Sequence, residues 1–180
     1  MTYRMIPGML QIETAPEVFL HMFYTWRPDR IVEIGCGSGR WTMCLAALVG
    51  PAARIYAFDT RLANRPVVRS VTWKVASCWD IQDEIEALIR LPGSTLLLCD
   101  GGNKVKEFNT FASSLKPGDV IAAHDYSPNK QEFVDIIRRL VWKHNEITDD
   151  QISEAICNNN LQPFMHDLMQ EALWGCWRRQ

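Results

Sequence analysis

Between Arg30 and Val49 the chain passes from a short apolar run (RIVEI), through glycines at three alternate positions (Gly35, Gly37, Gly39), into the decamer RWTMCLAALV, which has helical spacing. A strand that turns on glycines straight into a helix leaves few folds open. Gly35 permits the sharp exit from the strand, and Gly37 keeps a side chain out of the path of anything lying against the loop. The helix behind it presents backbone N–H groups to that space. The loop is suited to hold a ligand, and what surrounds it decides the architecture.

The same βα unit repeats along the chain. A helix is expected over 15–26, with Pro16 in its first turn, before the strand 30–34. The helix 40–49 puts Trp41, Cys44, Leu45 and Leu48 on one face and stops at Gly50-Pro51. Strands are expected at 54–58, 67–75, 95–99 and 119–123, with helices at 80–90, 104–115 and 131–143 between and after them. TLLLC (95–99) is apolar at every position, as a strand covered on both faces should be. In the tail, "TDD" opens a helix at 148–158, and ALWGCWRR (172–179) reads as a closing strand, antiparallel at the sheet edge. The three asparagines of CNNNLQPF between them suggest a turn. The expected fold is α/β, a doubly wound, mostly parallel sheet with helices on both faces. One domain is expected over 1–180, made of a helical segment (1–29), a ligand-binding core (30–143) and a closing helix and strand (144–180).

Composition narrows the partners. A net charge of -2, with no basic patch interleaved with aromatics, disfavours nucleic acid. No apolar run is long enough for a membrane helix, and the first residues lack a signal-peptide core. Six scattered cysteines without a C-x-x-C pair suit buried thiols in a reducing, cytoplasmic setting. An apolar tail carrying Trp174 and Trp177 leaves room for a homodimer.

Each expected strand end carries a polar residue or the glycine loop. Asp59 closes the second strand, Asp100 the fourth, and His124-Asp125 the fifth. Singly, each aspartate has a dull explanation as a turn or cap residue. Together at one sheet edge, they suggest a single crevice at the carboxyl ends of the strands. The loop reads Gly35-Cys36-Gly37-Ser38-Gly39-Arg40, so arginine stands where the dinucleotide fingerprint needs its last glycine. Asp59, 20 residues beyond Gly39, suits a ribose in any nucleoside ligand.

With VEIGCGSGRWT, IYAFDT, LLLCDGG and LKPGDVIAAHD in view, residues 15 to about 143 resemble the class I S-adenosylmethionine-dependent methyltransferases. The CDGG and HD elements further resemble small-molecule O-methyltransferases of the cephalosporin hydroxylase-like and macrocin O-methyltransferase-like kind. The resemblance implies that Glu33, Gly35, Cys36, Gly37 and Gly39 surround the methionine part of the cofactor, and that Asp59 holds the ribose. Ser77, Cys78 and Trp79 would border the adenine, with Asp100 also at the cofactor. Many relatives have aspartate where Ser77 stands. In metal-dependent members, residues at the positions of Asp100, His124 and Asp125 bind a divalent cation such as Mg²⁺ or Mn²⁺. An imidazole there suits Mn²⁺, Fe²⁺ or Zn²⁺ better than Mg²⁺. Two alternatives stand beside the metal site: His124 as a general base oriented by Asp125, or a purely structural pair. Relatives of the D-G-G-H type carry histidine where this chain has Asn103, and Lys104 next to it is a further candidate base if burial lowers its pKa, or else a solvated surface lysine.

The function expected is methyl transfer to an oxygen of a small molecule or sugar. The Asn/Asp-Pro-Pro-Tyr/Phe motif of amino-methylating enzymes is absent, and CDGG occupies its place. The rival is a catalytically silent cofactor-binding module, suggested by Asn103 and Ser77. An NAD enzyme would have to tolerate Arg40. Phe23, Tyr24, Trp26, Tyr126 and Trp142 are candidates for the acceptor pocket or for the core.

Overall fold

The computed structural model describes residues 4–7, 9–61, 66–138 and 146–180. Seven strands form one sheet: β1 (Arg30–Ile34), β2 (Arg54–Asp59), β3 (Val71–Val75), β4 (Thr95–Cys99), β5 (Val120–His124), β6 (Leu161–Pro163) and β7 (Trp174–Arg179). Their order is β3-β2-β1-β4-β5-β7-β6. The first five are parallel, and β7 runs antiparallel to both β5 and β6. The helices are α1 (Ala15–Thr25), α2 (Arg40–Val49), α3 (Gln82–Arg90), α4 (Lys104–Phe111), α5 (Lys130–Glu132, running on as a π-helical turn Phe133–Ile137), α6 (Asp149–Asn158) and α7 (His166–Gln170). The end of the expected 131–143 helix, with Trp142, lies outside the described residues.

β1, β4 and β5 are buried at every position, and their side chains alternate between two cores. Ile31, Leu96, Leu98, Val120 and Ala122 pack with Phe19 and Met22 of α1 and Trp41 and Leu45 of α2. Val32, Leu97, Cys99, Ile121 and Ala123 face the other way, onto Ile85 and Ile89 of α3, Phe108 and Phe111 of α4, and Ile152 of α6. That two-sided burial is why these strands read as unbroken apolar runs. On α2 the buried face is Trp41, Thr42, Leu45 and Val49, with Cys44 and Leu48 at its margin. The chain leaves β1 for β2 on one side and returns after β3 to β4 on the other. The strand order therefore reverses between β1 and β4, opening a crevice at their carboxyl ends.

Two details of the tail differ from expectation. The closing strand is antiparallel, but β7 lies inside the sheet, and the edge is β6, cut from the LQP of the presumed turn. A three-residue strand containing proline carries too little pattern to announce itself, and its pairing with β7 depends on tertiary contact. Trp174 and Trp177 are 0% and 2% exposed within the protomer, which removes the reason for expecting them at a dimer face. Among the described residues no helix is long and apolar enough to cross a membrane.

Candidate active site

The glycine loop owes its shape to left-handed backbone. Gly35 and Gly37 have φ of +85° and +49°, a region that other residues enter at a cost. A Cβ on Gly35 would stand 2.5 Å from the carbonyl carbon of Asp100 and closer still to its oxygen, so the β1 and β4 ends touch there backbone to backbone. A Cβ on Gly37 would meet nothing within 4 Å. One glycine serves packing and the other faces open space. Asp59 fastens the loop: its Oδ2 accepts from the Gly37 N–H at 2.8 Å and its Oδ1 from the Arg61 N–H at 3.0 Å.

Across the crevice, His124 ends β5 with its ring 2% exposed and lying against the Trp174 indole, centroids 4.8 Å apart. Its Nδ1 is 3.0 Å from Asp100 Oδ1 and 3.5 Å from Asp125 Oδ1. Asp100 therefore holds the imidazole more closely than Asp125, the partner the sequence suggests. Burial by itself lowers the His124 pKa, but the charges of Asp100 and Asp125 and the Asp100 hydrogen bond outweigh it, and the net shift is upward. Asp125 sits at φ +56°, a strained conformation of the kind that collects at functional sites. One ligand atom from each of Asp100, His124 and Asp125 lies within 4.8 Å of the others.

Lys104 departs from both expectations for it. Its side chain is 6% exposed, not solvated, and its Nζ lies 3.1 Å from Asp125 Oδ2 and 3.8 Å from Asp100 Oδ1. It also donates to Glu146 and to the Gly101 carbonyl. Burial lowers the Lys104 pKa, but these carboxylates more than reverse it, and the amine stays charged. The base role required a lowered pKa at Lys104, and the shift runs the other way, so a lysine held this way is poorly suited to accept a proton.

These parts meet in one cavity of about 1100 Å³, lined by Glu33, Gly35, Cys36, Gly37, Asp59, Ser77, Cys78, Trp79, Asp100, Lys104, His124 and Asp125, among others. Gly39 is not among the lining residues; at φ +73° it is the N-cap of α2. Trp79 is stacked on Phe111 at 6.2 Å with the Lys106 ammonium 4.0 Å over its ring, so it is both packed and at the border of the cavity. Cys78 is unsuited to nucleophilic work, because burial, then Glu107, pushes its thiol up to about 11. Ser77 and Asn103, the two departures from relatives, have local roles. Ser77 Oγ accepts from the Trp79 N–H, and Asn103 caps α4 by accepting from the Lys106 N–H at 3.0 Å. Among the described residues, none of the aromatic candidates for an acceptor pocket lines the cavity: Phe23 and Tyr126 are buried, Trp26 packs on Phe164, and Tyr24 is 79% exposed elsewhere.

Three site residues carry no signal of their own in the sequence. Gln11, 1% exposed, donates to Asp100 Oδ2 at 3.3 Å. Glu146 pairs with Lys104. Glu107 accepts from the Gly101 and Asn103 N–H groups at 3.1 and 3.2 Å and so shapes the loop after β4.

No protein-family model matches the chain, and no curated protein matches it. Among solved structures, CmcI with Mg and SAM is 20% identical with a TM-score of 0.64, over 96% of this chain and 73% of that one. The MycE methyltransferase from the mycinamycin biosynthetic pathway, in complex with Mg, SAH and mycinamycin VI, is 13% identical with a TM-score of 0.57, over 92% and 49%. The fold is that of a Rossmann-like methyltransferase. Human N-acetylserotonin methyltransferase in complex with SAM shares it at 12% identity and a TM-score of 0.51, over 91% of this chain and 51% of that one. The chain thus spans about half the length of the last two. The architecture expected from the glycine loop and its βα repeats is therefore the one found.

Proposed function

We propose that the protein is an S-adenosylmethionine-dependent methyltransferase acting on an oxygen of a small molecule or sugar. One observation carries this: the open face of the glycine loop and the Asp100–His124–Asp125 cluster border the same cavity. Of the three similar structures named above, CmcI holds SAM with Mg, MycE holds SAH with Mg, and N-acetylserotonin methyltransferase holds SAM.

The residues fit both groups. A Cβ on Gly37 would project into the open space beside the loop, and each Asp59 oxygen keeps a second lone pair for a ribose hydroxyl beside the backbone N–H it already accepts. Asp100 Oδ1, Asp125 Oδ1 and His124 Nδ1 face one another, while the outer oxygens are engaged by Gln11 and Lys104. Ligand atoms converging inward with their outer positions tied is how metal sites are oriented. Bound S-adenosylmethionine supplies an electrophilic methyl on a sulfonium. A divalent cation on the three residues would supply Lewis acidity toward an acceptor hydroxyl, and the imidazole favours Mn²⁺ over Mg²⁺.

The chain contributes the rest. Glu33, 1% exposed, offers a carboxylate for the cofactor's methionine end, and Trp79, Ser77 and Cys78 form the wall on the adenine side. Neutral His124, with Nδ1–H donated to Asp100, is the group bordering the cavity suited to take the acceptor hydroxyl's proton as the C–O bond forms and the C–S bond breaks. Ligation and donation exclude each other at Nδ1, and a metal titration separates them. Lys104 offsets the carboxylate charge.

Calorimetric titration of S-adenosylmethionine, with and without Mn²⁺, tests the reading. Native protein is expected to bind the cofactor, Asp59→Ala to lose that binding, and Asp100→Ala to lose the metal response. Absence of cofactor binding by the native protein sinks the proposal. Binding without turnover on a panel of catechols and glycosides would leave a silent binding module.

A further inference from the structure

Gln11 is an uncharged side chain from the N-terminal segment, yet it is buried to 1% in the wall of the cavity. Burying an amide is costly unless both ends are satisfied, and here they are. Trp174 Nε1 donates to Gln11 Oε1 at 3.0 Å, and Gln11 Nε2 donates to Asp100 Oδ2 at 3.3 Å. Because an indole N–H can only donate, the amide oxygen must face Trp174 and the NH₂ must face the carboxylate. Gln11 therefore fixes the second oxygen of a carboxylate whose first oxygen holds His124. The indole on its other side is the ring that lies against His124.

The segment that delivers this amide is itself held. The Ile6 N–H donates to the Gln11 carbonyl at 2.8 Å, and the Glu13 N–H to the Arg4 carbonyl at 2.7 Å. Next to Gln11, Ile12 is 1% exposed against Phe133 and Leu173. Its neighbour on the other side, Leu10, also borders the cavity but is 79% exposed. An apolar residue would have served packing at position 11 without the desolvation of an amide. The bonds to Asp100 and Trp174 are what the amide adds.

We infer that Gln11 is a positioning residue for the site: it sets the orientation of Asp100 and, through Asp100 and Trp174, that of the His124 ring. The inference rests on the proposed use of Asp100 and His124, and docking of residues 9–12 is thereby part of assembling the site.

The test has one readout that needs no metal and one that does. In the apo protein, the downfield ¹H NMR resonance of the His124 ring N–H, assigned by its loss in His124→Gln, reports the Asp100 hydrogen bond. Gln11→Met should shift or abolish it, while Leu10→Ala should leave it in place. Gln11→Glu guards against misfolding: it can still accept from Trp174, so the Trp174 indole resonance should persist while the His124 signal moves. Mn²⁺ affinity should fall about 10-fold or more in Gln11→Met. Combined with Asp100→Asn it should fall no further than in Asp100→Asn alone, because both changes act through one carboxylate. A His124 resonance unmoved in folded Gln11→Met and Gln11→Glu overturns the inference, as does an additive double variant. If the native protein binds no Mn²⁺, the metal reading fails by itself and the His124 resonance still decides the role of Gln11.

Discussion

Gly35 and Gly37 stand two residues apart in the same loop, and exchanging each for alanine should do opposite things. At Gly35, alanine takes a left-handed φ of +85° and brings its Cβ against the backbone of Asp100 and Gly101. The conformational cost is about 1–2 kcal/mol. Forcing two backbones apart in a packed region adds about 1–3 kcal/mol. A total near 3 kcal/mol corresponds to roughly 6–12 °C in melting temperature for a chain of this length. At Gly37 the Cβ finds open space, so only a left-handed cost of about 1 kcal/mol remains. That Cβ would occupy the face on which the cofactor is proposed to lie. Thermal unfolding by circular dichroism and S-adenosylmethionine calorimetry, run on both variants, separate the effects. Gly35→Ala should melt well below the native protein. Gly37→Ala should melt within roughly 2–4 °C of it yet bind cofactor at least tenfold more weakly. A Gly35→Ala protein of native stability would refute the close approach to β4. A Gly37→Ala protein that binds normally would refute the cradle.

Removing the Lys104 ammonium leaves Asp100, Asp125 and Glu146 facing one another, so Lys104→Met should lose about 3 kcal/mol in urea unfolding, and Mn²⁺ should restore part of it. A loss under about 1 kcal/mol would mean the cluster is solvated. Since the His124 pKa is raised above 6.5, the stabilisation from its charged form is full below pH 6.5 and disappears as pH climbs through the raised value. Metal-free melting temperature should therefore fall over that window in native protein but not in His124→Gln. Mn²⁺ affinity should move the other way, because ligation requires the ring to lose its proton; an affinity flat from about pH 6 to 9 counts against His124 as a ligand. Glu107→Ala strips two backbone donors of their acceptor and should cost about 2 kcal/mol by thermal melt.

What could be read from the sequence was local in origin. Apolar runs at β1, β4 and β5 follow from burial on both faces, and a glycine loop followed by Asp59 follows from backbone geometry within one βα unit. Asp100, His124 and Asp125 were legible because strand ends share an edge once the strands are parallel. Lys104 shows the limit. A lysine at a helix start reads as solvated, and only the arrival of Asp125 and Glu146 from distant elements makes it buried and charged. Gln11 is the stronger case, since its partners lie 89 and 163 residues away and nothing in MLQIE announces them. β6 is defined by β7 alone, and three residues cannot carry a period.

The interior place of β7 has a consequence for synthesis. Fifty residues separate His124 from Trp174, so at roughly 5–20 residues per second β5 is made several seconds before the strand that covers it. Throughout that interval the flank of β5 is an unpaired edge, open to any other nascent strand. The parallel half of the sheet can form early, but the imidazole gains its indole neighbour only when the ribosome has delivered the last strand. Slow translation between these two segments should therefore lengthen the window for aggregation without altering the finished molecule.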